Sequence, residues 1–112
     1  MTGFAYLASP YTHHSSLVRE ARFIAVCKAA AELMRSGKVI FSPIAHSHPI
    51  DLHFDRPESG AFWKNQDIQI LRHASELIVL KLDGWIDSKG IQWEVHMAHE
   101  LGIPVTYMEP VA

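Results

Sequence analysis

The sequence has few of the residues that crosslink a chain or bind a metal. Its one cysteine, Cys27, has no partner for an internal disulfide, so we expect a reducing compartment and a cytoplasmic protein. Eight histidines are present, but no HExxH, CxxC or similar metal-binding spacing accompanies them. We therefore expect neither a metal nor a cofactor, and a metal-dependent hydrolase that uses the histidines remains an alternative.

Long apolar runs and an excess of one charge are also missing. No stretch approaches the roughly 18 apolar residues that a membrane span requires, so no membrane partner is expected. Ten Lys and Arg residues against twelve Asp and Glu give a formal charge of −2 at pH 7. This balance argues against a broad surface for a nucleic acid polymer, whereas a few local donors are enough to hold one small anion.

The composition is that of a folded chain. Its 112 residues are 48% hydrophobic and 20% charged, which is typical of globular rather than disordered proteins. The length indicates one domain, which we place at residues 1–112.

Short apolar runs alternate with helical periodicity along the chain. Buried strands are predicted at residues 4–8, 38–41, 77–82 and 103–108, and helices at 15–36, 61–74 and 88–101. Residues 44–59 hold two prolines and no clear period, so we interpret them as a long functional loop. The order β-α-β-α-β-α-β predicts an α/β fold with a parallel sheet, in which ligands bind beyond the carboxyl ends of the strands.

Two of the predicted helices carry a carboxylate within the apolar stripe. Asp67 lies in the middle of one stripe and Glu94 lies within the other, while Arg22 and Glu32 interrupt the stripe of the first helix. A carboxylate that faces the core is costly unless it is paired, hydrogen-bonded or protonated. Since both acids are expected near one edge of the sheet, we favour a catalytic pair over two buried structural anchors.

Other candidates lie near the same edge. The phenol of Tyr6, in the first strand, needs a partner, and Glu94 or Asp67 would serve. Ser88, Gly90 and the first turn of the following helix form a possible phosphate-binding site, to which the hydroxyl of Ser9 would add, although Ser88 also suits a simple N-cap.

The loops at this edge supply further candidates for substrate binding. Trp85, next to Asp83, is placed to stack on a base, and a lid residue or an oligomer contact is an equally good interpretation. His46 and His48 would lie on different sides of an extended loop, and either could contact substrate.

Three sequence features together resemble the nucleoside 2-deoxyribosyltransferase superfamily, which includes the deoxynucleoside 5′-monophosphate N-glycosidases. They are the segment Tyr6-Leu-Ala-Ser9-Pro10, the position of Asp67 before the third strand, and the motif Ser88-x-Gly90-x-x-x-Glu94. The chain also resembles a small branch of this superfamily that carries the segment Ser-Pro-Ile-Ala-His-Ser-His-Pro, found here at 42–49. The resemblance implies a three-layer, flavodoxin-like α/β fold whose four-stranded parallel sheet has the order 2-1-3-4.

The same resemblance implies roles for the acidic residues. Glu94 matches the nucleophile that attacks the anomeric carbon, Tyr6 matches the tyrosine that orients it, and Asp67 matches an aspartate that assists proton transfer. The position of Ser88 is an aspartate in the transferases and a serine that binds the 5′-phosphate in the monophosphate hydrolases. The first loop departs from the hydrolases, which usually have a glycine-rich, basic segment there.

These observations lead to one expected function and several alternatives. We expect a nucleotide N-glycosidase that hydrolyses the base–sugar bond of a nucleoside 5′-monophosphate and, like its relatives, forms a homodimer or larger homo-oligomer. A base-exchanging nucleoside 2-deoxyribosyltransferase and a non-catalytic nucleotide-binding or sensing module remain open.

Overall fold

The computed structural model describes residues 3–112, so the first two residues of the predicted domain lie outside the described part of the chain. In chain order the elements are β1 (Ala5–Ala8), α1 (Ser16–Arg35), β2 (Ile40–Phe41), α2 (Pro43–Asp51), α3 (Gly60–Leu71), β3 (Glu76–Leu80), α4 (Lys89–Glu100) and β4 (Val105–Met108). The four predicted strands and three predicted helices are all present, with ends that differ by a few residues.

The helix α2 corrects the prediction of a loop over residues 44–59. Ser42 caps this helix by accepting a hydrogen bond from the Ala45 amide at 3.1 Å. Pro43 occupies the first turn, where a backbone N–H has no intrahelical acceptor, so its missing N–H costs no hydrogen bond. Pro49 lies inside the helix, where it removes one intrahelical hydrogen bond, and the helix ends two residues later. The loop is therefore confined to residues 52–59.

The sheet is fully parallel and its strand order is β2-β1-β3-β4, as expected. Alternation along the strands gives it two buried faces. The first face packs against α1, and the core between them includes Ala5, Leu7, Val26, Ala29, Ala30, Ile40, Ile78 and Leu80. The second face packs against α3 and α4, and the core between them includes Tyr6, Ala8, Leu71, Leu77, Val79, Ile91 and Ala98.

The chain reverses its direction across the sheet between β1 and β3. From β1 it moves outward to β2, and from β3 it moves outward the other way to β4. At such a switch point the connections leave the carboxyl ends of the central strands in opposite directions and open a crevice between them. The loops after β1 and after β3 border this crevice.

None of the helices described between residues 3 and 112 is long and apolar enough to cross a membrane.

Candidate active site

A buried hydrogen bond joins the central strand β1 to the helix α4. The Tyr6 hydroxyl donates to Glu94 Oε2 at 2.6 Å, and Glu94 is only 6% exposed. Burial raises the pKa of Glu94 to about 8, although the bond from Tyr6 acts in the opposite direction. The same burial, with the neighbouring carboxylates, raises the pKa of Tyr6 well above its usual value, so Tyr6 remains a hydrogen-bond donor.

Asp67 approaches this pair from α3. It is half-buried, and the loss of solvation raises its pKa to about 6. Its charge contributes to the raised pKa of Glu94 and of Tyr6, so the three groups form one electrostatic unit. The structure thus brings Tyr6, Asp67 and Glu94 together on the second face of the sheet.

The arrangement has the properties of a two-carboxylate catalytic site. Two acids whose charges repel each other hold a proton between them over the neutral range and titrate as a pair. One acid can then act as an ionised nucleophile while the other donates a proton, as in the hydrolysis of glycosides. A hydrogen bond from a neutral tyrosine fixes the direction in which Glu94 presents its oxygens.

Ser88 and Gly90 lie at the start of α4, one to two turns before Glu94. Ser88 is the N-cap, and its hydroxyl accepts a hydrogen bond from the Ile91 amide at 3.2 Å. The remaining amides of the first turn and the helix dipole favour an anion at this end of the helix. A side chain at Gly90 would meet only Ser88 Oγ, at an ordinary 3.8 Å, so space is open beside the cap.

Ser9 directly follows β1 and has an unsatisfied hydroxyl. It is 6% exposed, and its Oγ has no hydrogen-bond partner among the described residues. A buried hydroxyl without a partner is costly, so it favours a ligand or solvent group in the adjoining crevice.

Trp85 turns toward β4. Its ring lies 5.6 Å from that of Tyr107, and the Lys81 ammonium stands 5.9 Å from its centre. With Val95 and His99 of α4, these aromatic rings line an open cavity of about 580 Å³. The cavity lies between α4 and the edge strand β4, and neither Glu94 nor Asp67 is among its lining residues. Asp83 is exposed at the start of the same loop.

The two candidate histidines occupy different faces of α2. His46 is exposed, and its ring lies 5.6 Å from Phe41, which is itself 6.0 Å from Tyr6. His48 is buried toward α1, where Nδ1 lies 2.6 Å from the Tyr11 hydroxyl and Nε2 lies 2.9 Å from Glu20 Oε1. Both nitrogens of His48 are therefore occupied by protein groups, while His46 extends along the Tyr6 side of the sheet.

Sequence reasoning missed two residues near the site. Phe41 ends β2 and packs beside Tyr6, a contact that depends on strand order. Arg22 of α1 bonds to the loops after β1 and β3, and its only signal in the sequence was its intrusion into an apolar stripe. Among residues 3–112, no group of three or more His, Cys, Asp or Glu side chains is arranged to hold a metal.

The fold is that of a nucleoside deoxyribosyltransferase-like protein. The chain is similar to the solved structure of a 2-deoxyribosyltransferase from the psychrotolerant bacterium Bacillus psychrosaccharolyticus, with a TM-score of 0.67 and 25% sequence identity. The match covers 94% of this chain and 71% of that one, and it supports membership of this superfamily. The chain belongs to the family described as a domain of unknown function, DUF1937, whose model matches residues 3–110. No curated protein matches it at a significant level.

Proposed function

We propose that this protein is an N-glycosidase that hydrolyses the base–sugar bond of a nucleoside 5′-monophosphate, with Glu94 as the nucleophile. The observation that carries the proposal is the buried Glu94 carboxyl, held by Tyr6 at 2.6 Å and electrostatically coupled to Asp67 beside the switch point of the sheet. Similarity to a solved 2-deoxyribosyltransferase supports the wider class of reaction, glycosyl transfer from a nucleoside.

The proposed reaction has two displacements at the anomeric carbon. Ionised Glu94 attacks this carbon, the bond to the base nitrogen breaks, and the base leaves with its electron pair while Asp67 supplies a proton. Water then attacks the resulting glycosyl ester, Asp67 takes up the proton of that water, and Glu94 is released as a carboxylate. The negative charge of the pair stabilises the positive charge that develops on the sugar in each transition state.

Ser88 is the basis for the choice of a monophosphate. A serine hydroxyl and the amides of the first turn of α4 attract a phosphate, whereas an aspartate at this position would repel it. The unpartnered Ser9 hydroxyl supplies a further donor at the same edge of the sheet. We place His46 on the base side of the crevice, because it lies along the Phe41 and Tyr6 side.

A base-exchanging transferase is the second candidate, because the solved structure to which the chain is similar is a 2-deoxyribosyltransferase. The two reactions share the glycosyl ester and differ only in whether water or a second base attacks it. A transferase would release the first base quickly only when an acceptor base is present.

The deciding experiment is a panel of nucleoside 5′-monophosphates and nucleosides, each with and without an acceptor base, with the released base measured by chromatography. We expect release from a monophosphate without an acceptor, and a loss of roughly a thousandfold or more in Glu94→Ala. Glu100→Ala, at an exposed position on the same helix, is the matched control and should keep the wild-type rate. Full activity in Glu94→Ala, or no release from any substrate, would contradict the proposal.

Ser88→Asp tests the phosphate assignment separately. Aspartate caps a helix as well as serine does, so α4 should keep its stability. The added charge should lower kcat/KM for the monophosphate relative to the matching nucleoside by about tenfold or more. An unchanged ratio would show that the phosphate binds elsewhere.

A further inference from the structure

One arginine connects the two loops that border the crevice. Arg22 lies on α1, and its guanidinium donates to two backbone carbonyls that are distant in sequence. Nη1 lies 3.2 Å from the Thr12 carbonyl, in the loop after β1, and Nη2 lies 3.1 Å from the Asp83 carbonyl, in the loop after β3. A rigid, planar group with several donors is suited to hold two acceptors at a fixed separation.

Each of these loops carries a candidate contact for the substrate. The first contains Ser9 with its unsatisfied hydroxyl, and the second leads to Ser88 at the start of α4. The second loop is fixed at its far end as well, because the Gln92 side chain donates to the Ile86 carbonyl at 3.0 Å. Arg22 is the anchor at its near end.

The backbone of the second loop is shaped around this arginine. Gly84 has φ of +91°, a conformation that residues with a side chain rarely adopt. A Cβ built at Gly84 would lie 2.9 Å from Arg22 Nη2, so any side chain there would displace the guanidinium. The glycine at position 84 thus leaves room for the contact between Arg22 and the Asp83 carbonyl.

Arg19, one turn earlier on α1, makes a useful contrast. Its guanidinium donates to the His13 carbonyl and so contacts the first loop. The two arginines share a helix and a charge, but among the hydrogen bonds of the described residues Arg22 alone joins both loops.

We propose that Arg22 is a positioning residue that fixes the distance between the loops after β1 and β3, so that both loops contact one substrate. The inference rests on the proposed function. Arg22 acts through the loops on substrate affinity, while Tyr6, Asp67 and Glu94 are held by β1, α3 and α4 themselves. Loss of Arg22 therefore changes KM more than kcat.

The test compares Arg22→Met with Arg19→Met by hydrogen exchange and by kinetics with the best nucleoside 5′-monophosphate. Arg22→Met should speed amide exchange in residues 9–15 and 83–88, raise KM about tenfold and leave kcat within about threefold. The pH dependence of kcat should stay unchanged. Arg19→Met should speed exchange in residues 9–15 alone. Arg22→Lys keeps the charge and can reach a carbonyl, so its KM should lie between those of the wild type and Arg22→Met.

Unchanged exchange in residues 83–88, or an unchanged KM, in Arg22→Met would overturn the inference. Faster exchange throughout the sheet in both Arg22 variants would also overturn it, because it would indicate a general loss of stability. If the wild-type protein releases no base from any nucleotide, the proposed function fails, and the exchange of the two loops then decides the inference by itself.

Discussion

The two faces of the sheet differ in what they bury. The face toward α1 is covered by apolar side chains such as Leu7, Val26 and Leu80, which are fully buried. The face toward α3 and α4 buries the hydrogen-bonded pair of Tyr6 and Glu94 among its apolar residues. The face toward α1 therefore contributes stability that does not depend on pH. The face toward α3 and α4 holds ionisable groups whose burial lowers the stability by an amount that depends on pH.

This cost is expected at a site that performs chemistry. A buried carboxyl is stable mainly in its neutral form, whereas a nucleophile must lose its proton, so the environment that tunes its reactivity also opposes folding. The apolar face supplies the compensating stability. The contrast leads to three predictions, which alter the apolar face, the proposed nucleophile Glu94 and its hydrogen-bond partner Tyr6 in turn.

Leu7→Ala should give the largest change in stability. Leu7 is fully buried in the central strand, so its truncation leaves a cavity and should lower the free energy of unfolding by about 3 kcal/mol. Because no ionisable group is affected, the loss should be equal at pH 5 and pH 8. Denaturant titrations at both pH values measure this difference, and a loss confined to one pH would contradict the division between the faces.

Glu94→Gln should raise the free energy of unfolding rather than lower it, and this change should depend strongly on pH. The pKa of Glu94 rises from an ordinary 4.5 to about 8 on folding, so the folded chain keeps a proton that the unfolded chain releases. The stability that this retained proton gives the folded chain is complete below pH 4.5 and is lost as the pH rises through 8. The pKa difference between 4.5 and 8 corresponds to at most about 5 kcal/mol in the free energy of unfolding.

Glutamine keeps the shape of the side chain without this titration. We expect Glu94→Gln to exceed the wild type in stability by about 1–3 kcal/mol at pH 8 and to differ little from it at pH 4.5. Thermal unfolding across this range measures the effect, with Glu100→Gln as the exposed control on the same helix. A variant less stable than the wild type at pH 8 would show that Glu94 is not held in its neutral form.

The sheet and the acidic pair were predictable because their signals are local. Apolar runs such as residues 77–82 identify buried strands, and helical spacing alone places Asp67 and Glu94 within apolar stripes. The loop predicted at residues 44–59 was wrong over residues 44–51, which belong to α2. The prediction followed from two prolines and the lack of a clear period, and these outweighed the capping signal of Ser42 and Pro43.

The remaining features depend on contacts that cross the sequence. The burial of His48 is set by Phe23, Tyr11 and Glu20, none of which is marked by spacing. The direction of Trp85 toward β4 follows from its contact with Tyr107. The contact of Arg22 with Asp83 joins two loops that are distant in the chain. Such pairings are fixed by topology and packing, so a single sequence carries little trace of them.

Tyr6→Phe should give the smallest effect of the three substitutions. The effect should appear in the pH dependence of kcat/KM. With pKa values of about 6 for Asp67 and about 8 for Glu94, the pair carries one proton between these limits. Between these limits the proton resides mainly on Glu94, so the productive form, with Glu94 ionised and Asp67 protonated, is a minor fraction of the singly protonated pair. Because this fraction is greatest where the pair carries one proton, kcat/KM should follow a bell with its maximum near pH 7. The wild-type profile, measured from pH 4 to 10, tests this expectation.

Removal of the Tyr6 hydroxyl changes the profile in a defined direction. The bond from Tyr6 stabilises ionised Glu94, so its loss raises the pKa of Glu94 and moves the alkaline limb to higher pH. The productive form becomes rarer, and the maximum of kcat/KM should fall by about tenfold. Tyr107→Phe, at an exposed position on β4, should keep the wild-type profile. An alkaline limb that stays in place, or moves to lower pH, in Tyr6→Phe would mean that Tyr6 does not stabilise the ionised form of Glu94.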